Sequence, residues 1–380
     1  EGVTVTTVFS RVDCSERRPI QVKVPGNKSR ALFPWRHQRN DYRVHSTLAD
    51  SGRTCVTAEP IKEIFWSQVS DRPDLTAVTR LAEDAKKGGF TADAELRIRV
   101  AAVMAHVGFL APDRAGEVFD AFAASWLEKP VAATPIAALD LSTGAVPDEF
   151  LDTYWSIVED GVAGSLDAAS ITERTAGLGG LQNEAFQDRL VRSSMQYPGV
   201  KEIAGRSTPP GVRLPTLAAC QIGSIGRQYH DLIVDNGFDL EVLDGHALGL
   251  SKLPPPLDYL NARNLQTHDL WHLVAGYETT ILHEFAIAAF QLAQFGHSYS
   301  GNLMAVMTGV AALSPAIGFP ILMDAVLTAW VHGRETSPMI GIRWEDSWNL
   351  SVREIRENYA ILPYVSPHPA NLIELAAAEA

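Results

Sequence analysis

Cysteine is scarce in this sequence, which contains only Cys14, Cys55 and Cys220 among 380 residues. The three are far apart, so they form neither a CxxC metal motif nor the framework of a small disulfide-stabilised scaffold. A chain of this length buries a sizeable core without such cross-links. Low cysteine usage is typical of a reducing compartment, and we expect a cytoplasmic protein.

Positive charge is also in deficit, because 32 Lys and Arg stand against 45 Asp and Glu and give a formal net charge of −13. Proteins bind nucleic acid largely by neutralising phosphates, so this balance argues against nucleic acid as a partner. The hydrophobic content of 46% excludes a chain that is disordered throughout.

The amino-terminal block lacks the acidic balance and the periodicity of the remainder. Residues 1–58 hold ten Lys and Arg against five Asp and Glu, and they contain no continuous apolar run of the kind found in a signal peptide. We therefore predict a flexible or irregular region over residues 1–71, and we expect residues 1–58 to be dispensable for the fold.

Alternating strand patterns are scarce, whereas helical spacing is frequent from about residue 72 onwards. Segments 92–111 and 114–127 place apolar residues three and four positions apart. The pattern predicts a mostly α-helical, multi-helix bundle-like fold. We divide it into a helical region at 72–184, a second helical domain at 185–365 and a tail at 366–380.

Charge is missing from one long stretch, residues 298–323. Its length would suffice for a membrane span. However, Pro315 and Pro320 would break the helical hydrogen bonds where lipid cannot replace them. Two short buried helices, which could wall a lipid-sized cavity, are the better prediction.

The residues that carry chemistry form the pattern H-D-x-x-H followed by eleven residues and E, which comprises His268, Asp269, His272 and Glu284. The two histidines are four positions apart, so on a helix they share a face and can bind one ion. Asp269 can ligate the same ion or orient a histidine. Two histidines and two carboxylates suit Zn, Mn, Fe or Co.

Glu284 requires a bend in the chain, because twelve residues of straight helix would place it about 18 Å beyond His272. Gly276 provides a helix-ending signal, and Thr279 or Thr280 can cap a following helix. The spacing therefore predicts a helix, a bend and a second helix that converge on one metal. Glu278 and His283 are competing candidates for the place of Glu284 in the ligand set.

A second segment, Gly-Ser-Ile-Gly-Arg-Gln-Tyr, begins another predicted helix and includes Gly223, Ser224, Arg227 and Tyr229. Such a turn can bind an anionic headgroup through free backbone amides, with Arg227 assisting. It can equally be a turn that allows close packing of helices. Both interpretations stay open from the sequence, and we name the four residues as candidate substrate contacts.

Together these segments resemble the coenzyme Q biosynthesis protein 4 family. The resemblance rests on the HDxxH-x11-E pattern, on LPTLAACQIGSIGRQYHDLI at 214–233 and on IRWEDSWNLSVREIRENYAI at 342–361, and it spans about residues 185–365. Residues 1–90 have no counterpart. The family usually has a basic run just before HD, whereas this chain reads NARNLQT and keeps only Arg263.

The resemblance implies decarboxylation, with or without oxidation, at ring carbon 1 of a polyprenylated hydroxybenzoate in ubiquinone biosynthesis. The HDxxH-x11-E residues would hold a divalent ion, with zinc the expected metal. His283 or Glu278 would supply the proton to the ring carbon. Residues 285–295 and 303–323 would wall a cavity for the prenyl tail.

The alternative implied by the same resemblance is a non-catalytic prenyl-lipid-binding scaffold that organises quinone-biosynthetic enzymes. Expected partners are a polyprenylated quinone precursor or another prenyl lipid, those enzymes, and a second copy of the chain. A peripheral position on the inner membrane surface is the corresponding expectation for location.

Overall fold

The structure is a computed structural model and describes residues 58–139, 141–237, 250–315 and 317–379. Within these ranges the chain is helical and contains no strand, which confirms the predicted mostly α-helical, multi-helix class. The sixteen α-helices of the described residues are α1 Ala58–Ser70, α2 Leu75–Gly88, α3 Ala94–Ala105, α4 Ala115–Trp126, α5 Asp148–Val162, α6 Ala168–Leu178, α7 Glu184–Ser194, α8 Val200–Ile203, α9 Leu214–Ala218, α10 Ile225–Asn236, α11 Leu257–Ala275, α12 Ile281–Phe295, α13 Ser298–Leu313, α14 Gly318–Glu335, α15 Val352–Tyr359 and α16 Leu372–Glu379.

The described residues are helical already from Ala58, ahead of the predicted start near residue 72. Helix α1 lies within the region predicted as irregular, and Phe65 and Val69 bury it against the remainder of the core. The amino-terminal boundary of the prediction is therefore wrong over residues 58–70. The prediction for residues 1–57 falls outside the described residues.

Helix starts are encoded locally in the sequence. Several helices begin at a short polar residue whose side-chain oxygen accepts a hydrogen bond from a backbone N–H three positions later, which satisfies a donor that the helix itself cannot pair. The residues that act in this way are Asp74, Asp93, Asp167, Asn183, Ser224 and Ser351.

Helices α12, α13 and α14 form the centre of the core. The uncharged stretch 298–323 is divided between α13 and α14, with Pro315 in the break, as the two prolines predicted. Helix α12 packs along α14, while α3 and α5 pack on α13 and α4 packs on α14. No helix in the described part of the chain combines the length and the apolar character needed to cross a membrane.

The contact between α12 and α14 depends on Gly333. A Cβ atom at this position would lie 2.7 Å from the carbonyl oxygen of Phe290 and 2.7 Å from the Cβ atom of Ala293. Both neighbours belong to helix α12 and one is backbone, so they cannot move aside without shifting the helix. The absence of a side chain at Gly333 therefore sets how closely α12 approaches α14.

We expect Gly333→Ala to lower the free energy of unfolding by about 1–3 kcal/mol, the typical cost of overpacking a core. Gly177→Ala is the matched control, since Gly177 is also helical and a Cβ atom there would meet nothing within 4 Å. The control should be neutral or stabilising by up to about 1 kcal/mol. Urea denaturation of both variants checks the difference, and equal stabilities would contradict it.

Candidate metal centre

The predicted bend between the two ligand-bearing helices is present. Helix α11 ends at Ala275, and Gly276 follows in the left-handed region with φ 82° and ψ 32°. The Gly276 N–H donates to the carbonyl of His272 and closes the helix end. Helix α12 begins at Ile281 after Thr280, although the Thr280 hydroxyl donates to the carbonyl of Ala370 instead of capping the helix.

The bend brings the donor atoms of three side chains together. The Nε2 atoms of His268 and His272 are 3.1 Å apart. The carboxylate of Glu284, in the first turn of α12, places Oε2 3.4 Å from the Nε2 atom of His268 and Oε1 3.4 Å from the Nε2 atom of His272. Ligand atoms of His268, Asp269 and His272 lie within 4.8 Å of one another.

These separations suit a metal ion. With zinc–ligand distances of about 2.0–2.1 Å, two ligand atoms of a tetrahedral site are about 3.3–3.4 Å apart. The three measured separations of 3.1, 3.4 and 3.4 Å are close to that value. The donor set of His268, His272, Glu284 and Asp269 therefore fits a divalent borderline metal in both chemistry and spacing.

The Nδ1 atom of each histidine, on the side of the ring away from the centre, contacts a polar partner. The Nδ1 atom of His272 lies 3.3 Å from the carbonyl oxygen of Tyr277, to which its N–H donates, so Nε2 is the atom directed at the centre. The Nδ1 atom of His268 lies 2.8 Å from the amide nitrogen of Gln291 on α12. Partners of this kind commonly fix the ring orientation of metal-binding histidines.

The electrostatics of the cluster favour bound positive charge. Burial alone would raise the pKa of Glu284, but His272 and His268 outweigh it and hold that pKa well below its usual range. Burial alone would lower the pKa of His272, but the Glu284 carboxylate raises it. Burial and the nearby Glu284 charge raise the pKa of Asp269 despite both histidines. A cation at the centre would stabilise both carboxylates.

His283 and Glu278, the predicted proton donors, occupy different environments. His283 is buried, and its Nδ1 atom accepts a hydrogen bond of 2.9 Å from the backbone N–H of Glu278, so the neutral ring carries its proton on Nε2. That Nε2 atom is buried with no hydrogen-bond partner among the described residues. Burial lowers the pKa of His283. The side chain of Glu278 is exposed.

The backbone amides of residues 224–227, which follow Gly223, are already paired, which favours the close-packing alternative over headgroup binding. Ser224 caps α10 and accepts from the N–H of Arg227, while the next two amides donate to the carbonyls of Leu350 and Trp348. A Cβ atom on the intervening glycine, residue 226, would lie 3.0 Å from the Trp348 carbonyl oxygen. The geometry is therefore that of a close-packing turn.

The two side chains of this segment stay candidates for substrate contact. Arg227 is half-exposed and pairs with Asp231 at 2.9 Å. Tyr229 is buried and stacks on Trp348, with the ring centroids 6.4 Å apart. Burial, with a smaller effect of the Asp269 charge, raises the pKa of Tyr229, so this phenol lies near the ligand helix.

Arg263, the basic residue that precedes the motif, is not available to a substrate. Its side chain is 3% exposed and forms two hydrogen bonds, of 2.8 and 3.0 Å, with the Glu345 carboxylate. A third bond reaches the carbonyl of Ile342. The pair fastens the segment around the buried Trp344 to helix α11, so this tryptophan belongs to the packing.

The segments predicted to wall a prenyl cavity lie mostly in the core, although Pro315, Ile317 and Gly318 are exposed. All residues from 285 to 295 are buried, and α12 lies against α14. Two surface cavities, of about 190 and 400 Å³, meet at Gly199, and neither is lined by residues 285–295 or 303–323. The prenyl cavity stays a prediction.

The sequence patterns did not identify Gln291 and Tyr277 as part of the centre. For Gln291 a signal exists, because it lies seven positions after Glu284 and therefore two turns along the same helix face. For Tyr277 the contributing atom is a backbone carbonyl, which no side-chain motif reveals.

Comparisons with known proteins agree with the resemblance in the motif. Residues 206–364 match the family model described as "Coenzyme Q (ubiquinone) biosynthesis protein Coq4". A mitochondrial ubiquinone biosynthesis protein COQ4 homolog of Aedes aegypti is 24% identical over 203 residues, which are 51% of this chain and 68% of that protein. The mitochondrial COQ4 of Mycosarcoma maydis is 25% identical over 174 residues, which are 38% of this chain.

The match to the Mycosarcoma maydis protein spans 46% of its length, so less than half of that relative is represented. A crystal structure of a candidate ubiquinone biosynthesis protein from Nostoc punctiforme PCC 73102 is 24% identical. It covers 56% of this chain and 97% of its own, with a TM-score of 0.43. The two relatives are named as mitochondrial, which differs from the cytoplasmic location expected above, and that location stays a prediction.

Proposed function

We propose that the chain acts in ubiquinone biosynthesis as a metal-dependent decarboxylase, from the premise that residues 206–364 match the Coq4 family model and resemble its curated members. The substrate class is a polyprenylated hydroxybenzoate, and the carboxylate at ring carbon 1 is removed. The observation that carries the proposal is the convergence of His268, His272 and Glu284 at donor separations of 3.1–3.4 Å.

The ion would be held by these three residues and Asp269, with zinc the first candidate. A bound divalent ion supplies a Lewis acid that polarises an oxygen of the substrate. The chain supplies the geometry, because Tyr277 and Gln291 hold the two imidazole rings from behind.

In decarboxylation the bond between ring carbon 1 and the carboxylate breaks, carbon dioxide leaves, and the electron pair stays on the ring carbon until it takes a proton. His283 is preferred to the exposed Glu278 as the group that passes a proton to the ring carbon, because its Nε2 carries a proton, is buried and lacks a partner among the described residues. The His283 ring would then recover a proton from solvent. Glu278 contributes through its backbone N–H, which fixes the His283 ring.

The test is release of carbon dioxide from a carboxyl-labelled prenylated hydroxybenzoate by purified protein loaded with Zn²⁺, Mn²⁺ or Co²⁺. We expect turnover that depends on the metal and a loss of at least about 100-fold in kcat for His283→Phe, the lower end of general acid catalysis. If His283→Phe keeps the wild-type metal content, the loss of turnover comes from proton transfer and not from metal binding. A metal-loaded protein without turnover of any prenylated hydroxybenzoate would contradict the proposal.

A prenyl-lipid-binding scaffold is the second candidate, and the state of Arg263 favours it. This guanidinium is committed to Glu345 and Ile342, so it offers no positive charge to an acidic headgroup. A scaffold would bind the prenylated ligand without turning it over, and Ala311→Trp, placed in α13, should weaken the binding. Lipid extraction and mass spectrometry of the purified protein distinguish the two candidates.

Metal affinity should depend on pH through His272, whose pKa is raised above the ordinary value of about 6.5. The ring must lose its Nε2 proton to bind a metal, so protons compete with the ion once the pH falls below this raised pKa. We expect the apparent Kd to rise about tenfold for each unit by which the pH falls, and this rise should begin above pH ~6.5. Chelator competition at several pH values measures the onset, and a flat profile down to about pH 6 would contradict the prediction.

A further inference from the structure

We propose that Gln291 selects the proton position on the His268 ring and thereby sets the affinity of the centre for its metal, an inference that rests on the proposed function. Gln291 lies on α12, two helical turns after Glu284 and on the same face. Its side chain is buried, with the residue 2% exposed. The amide nitrogen is 2.8 Å from the Nδ1 atom of His268.

The contact between the Gln291 amide and the Nδ1 atom of His268 couples the orientation of this amide to the tautomer of the ring. A glutamine amide nitrogen only donates, so the Nδ1 atom of His268 accepts, and a neutral imidazole that accepts at Nδ1 carries its proton on Nε2. That Nε2 atom is the one that lies 3.1 Å from His272 Nε2 and 3.4 Å from Glu284 Oε2. With the amide nitrogen facing Nδ1, His268 therefore presents an N–H group to the centre, and with the amide oxygen facing Nδ1 it presents a lone pair.

Metal binding requires the second of these arrangements. The Nε2 atom must offer its lone pair, so the proton must reside on Nδ1 and needs an acceptor there. A half-turn of the Gln291 amide about its last torsion provides this acceptor, because the oxygen and nitrogen ends have the same shape. Gln291 can therefore stabilise both states, whereas a carboxylate at this position accepts only and favours the metal-binding state.

A neighbouring glutamine shows the contrasting case. Gln294 is also buried on α12, but its amide nitrogen donates to the carbonyls of Gly333 and Thr336, and its oxygen accepts from the N–H of Met339. Both ends of this amide are fixed by backbone, so Gln294 has a structural role. It supplies a control with the same side chain, the same helix and the same burial.

The experiment compares full-length wild type with Gln291→Leu, Gln291→Glu and Gln294→Leu. The Kd for Zn²⁺ and Co²⁺ is measured by chelator competition, and the ring nitrogen shifts of His268 are measured by NMR in metal-free protein. We expect Gln291→Leu to weaken both metals by about 10–100-fold, the usual effect of losing a partner to a metal-binding histidine. Gln291→Glu should bind at least as tightly as wild type.

The NMR measurement reports the tautomer directly. Metal-free wild type should carry the His268 proton on Nε2, and Gln291→Glu should carry a proton on Nδ1. Gln294→Leu should lower the melting temperature without changing the Kd. If that variant does not fold, Gln266→Leu replaces it, since the Gln266 side chain is hydrogen-bonded to the carbonyl of Pro209 and to the side chain of Arg263, outside the candidate ligand set.

The outcomes separate the inference from the function on which it rests. An unchanged Kd in Gln291→Leu, or equal weakening by leucine and glutamate, would overturn the role of Gln291 while leaving the metal site intact. An unchanged His268 tautomer in Gln291→Glu would overturn it as well. Failure of wild type to bind any divalent metal would overturn both proposals.

Discussion

Replacing His272 with alanine is expected to abolish stoichiometric metal binding. Wild type should bind about one divalent ion per chain, and the loss of one protein ligand of four leaves an incomplete site. The side chain of His272 is 2% exposed, and its Nε2 atom lies 3.1 Å from the Nε2 atom of His268 and 3.4 Å from Oε1 of Glu284. Elemental analysis after dialysis against a weak chelator should show less than about a tenth of the wild-type content.

His368→Ala is the matched control, because His368 is a partly buried histidine bound to Asp324 and not a member of the candidate ligand set. Its metal content should equal that of wild type. Zinc at about 1,000 times its Kd should stabilise wild type by about 4 kcal/mol and leave His272→Ala unaffected. Unchanged metal content in a folded His272→Ala variant would contradict the site.

Replacing Trp271 with alanine is expected to cost about 3–5 kcal/mol of unfolding free energy, the usual price of a large buried cavity. Trp271 is fully buried on α11 between the two histidines, and its ring meets Phe290 and Phe295 of α12 nearly edge to face, with centroids 5.7 and 6.0 Å apart. This packing holds α11 against α12, so its loss should also weaken metal binding.

Trp271→Phe is the control that separates packing from hydrogen bonding. The indole Nε1 atom of Trp271 is buried without a hydrogen-bond partner among the described residues, so phenylalanine removes volume but breaks no bond. We expect its cost to stay below about 2 kcal/mol, well under that of alanine. Thermal and urea unfolding measure both variants, and an alanine variant as stable as the phenylalanine variant would contradict the prediction.

Much of the candidate metal centre is determined by the sequence itself, because its features are local. The spacing of His268 and His272 places them on one helix face, and Gly276 ends that helix at the position its backbone freedom favours. The bend then returns Glu284 to the histidines, as the spacing required. The helical class follows from the same periodicity, and Pro315 correctly marks the break between α13 and α14.

Other features were decided only by tertiary structure, because they depend on segments far apart in the chain. The amides after Ser224 looked free in the sequence, but the carbonyls of Trp348 and Leu350, more than 120 positions later, occupy them. Arg263 is the one basic residue that the sequence shows just before the motif, but only the structure reveals that Glu345 pairs with it. A backbone amide or a guanidinium has the same sequence signature whether it is free or paired. Only the approach of the partner segment, driven by burial of the helices between them, determines which groups remain for a ligand.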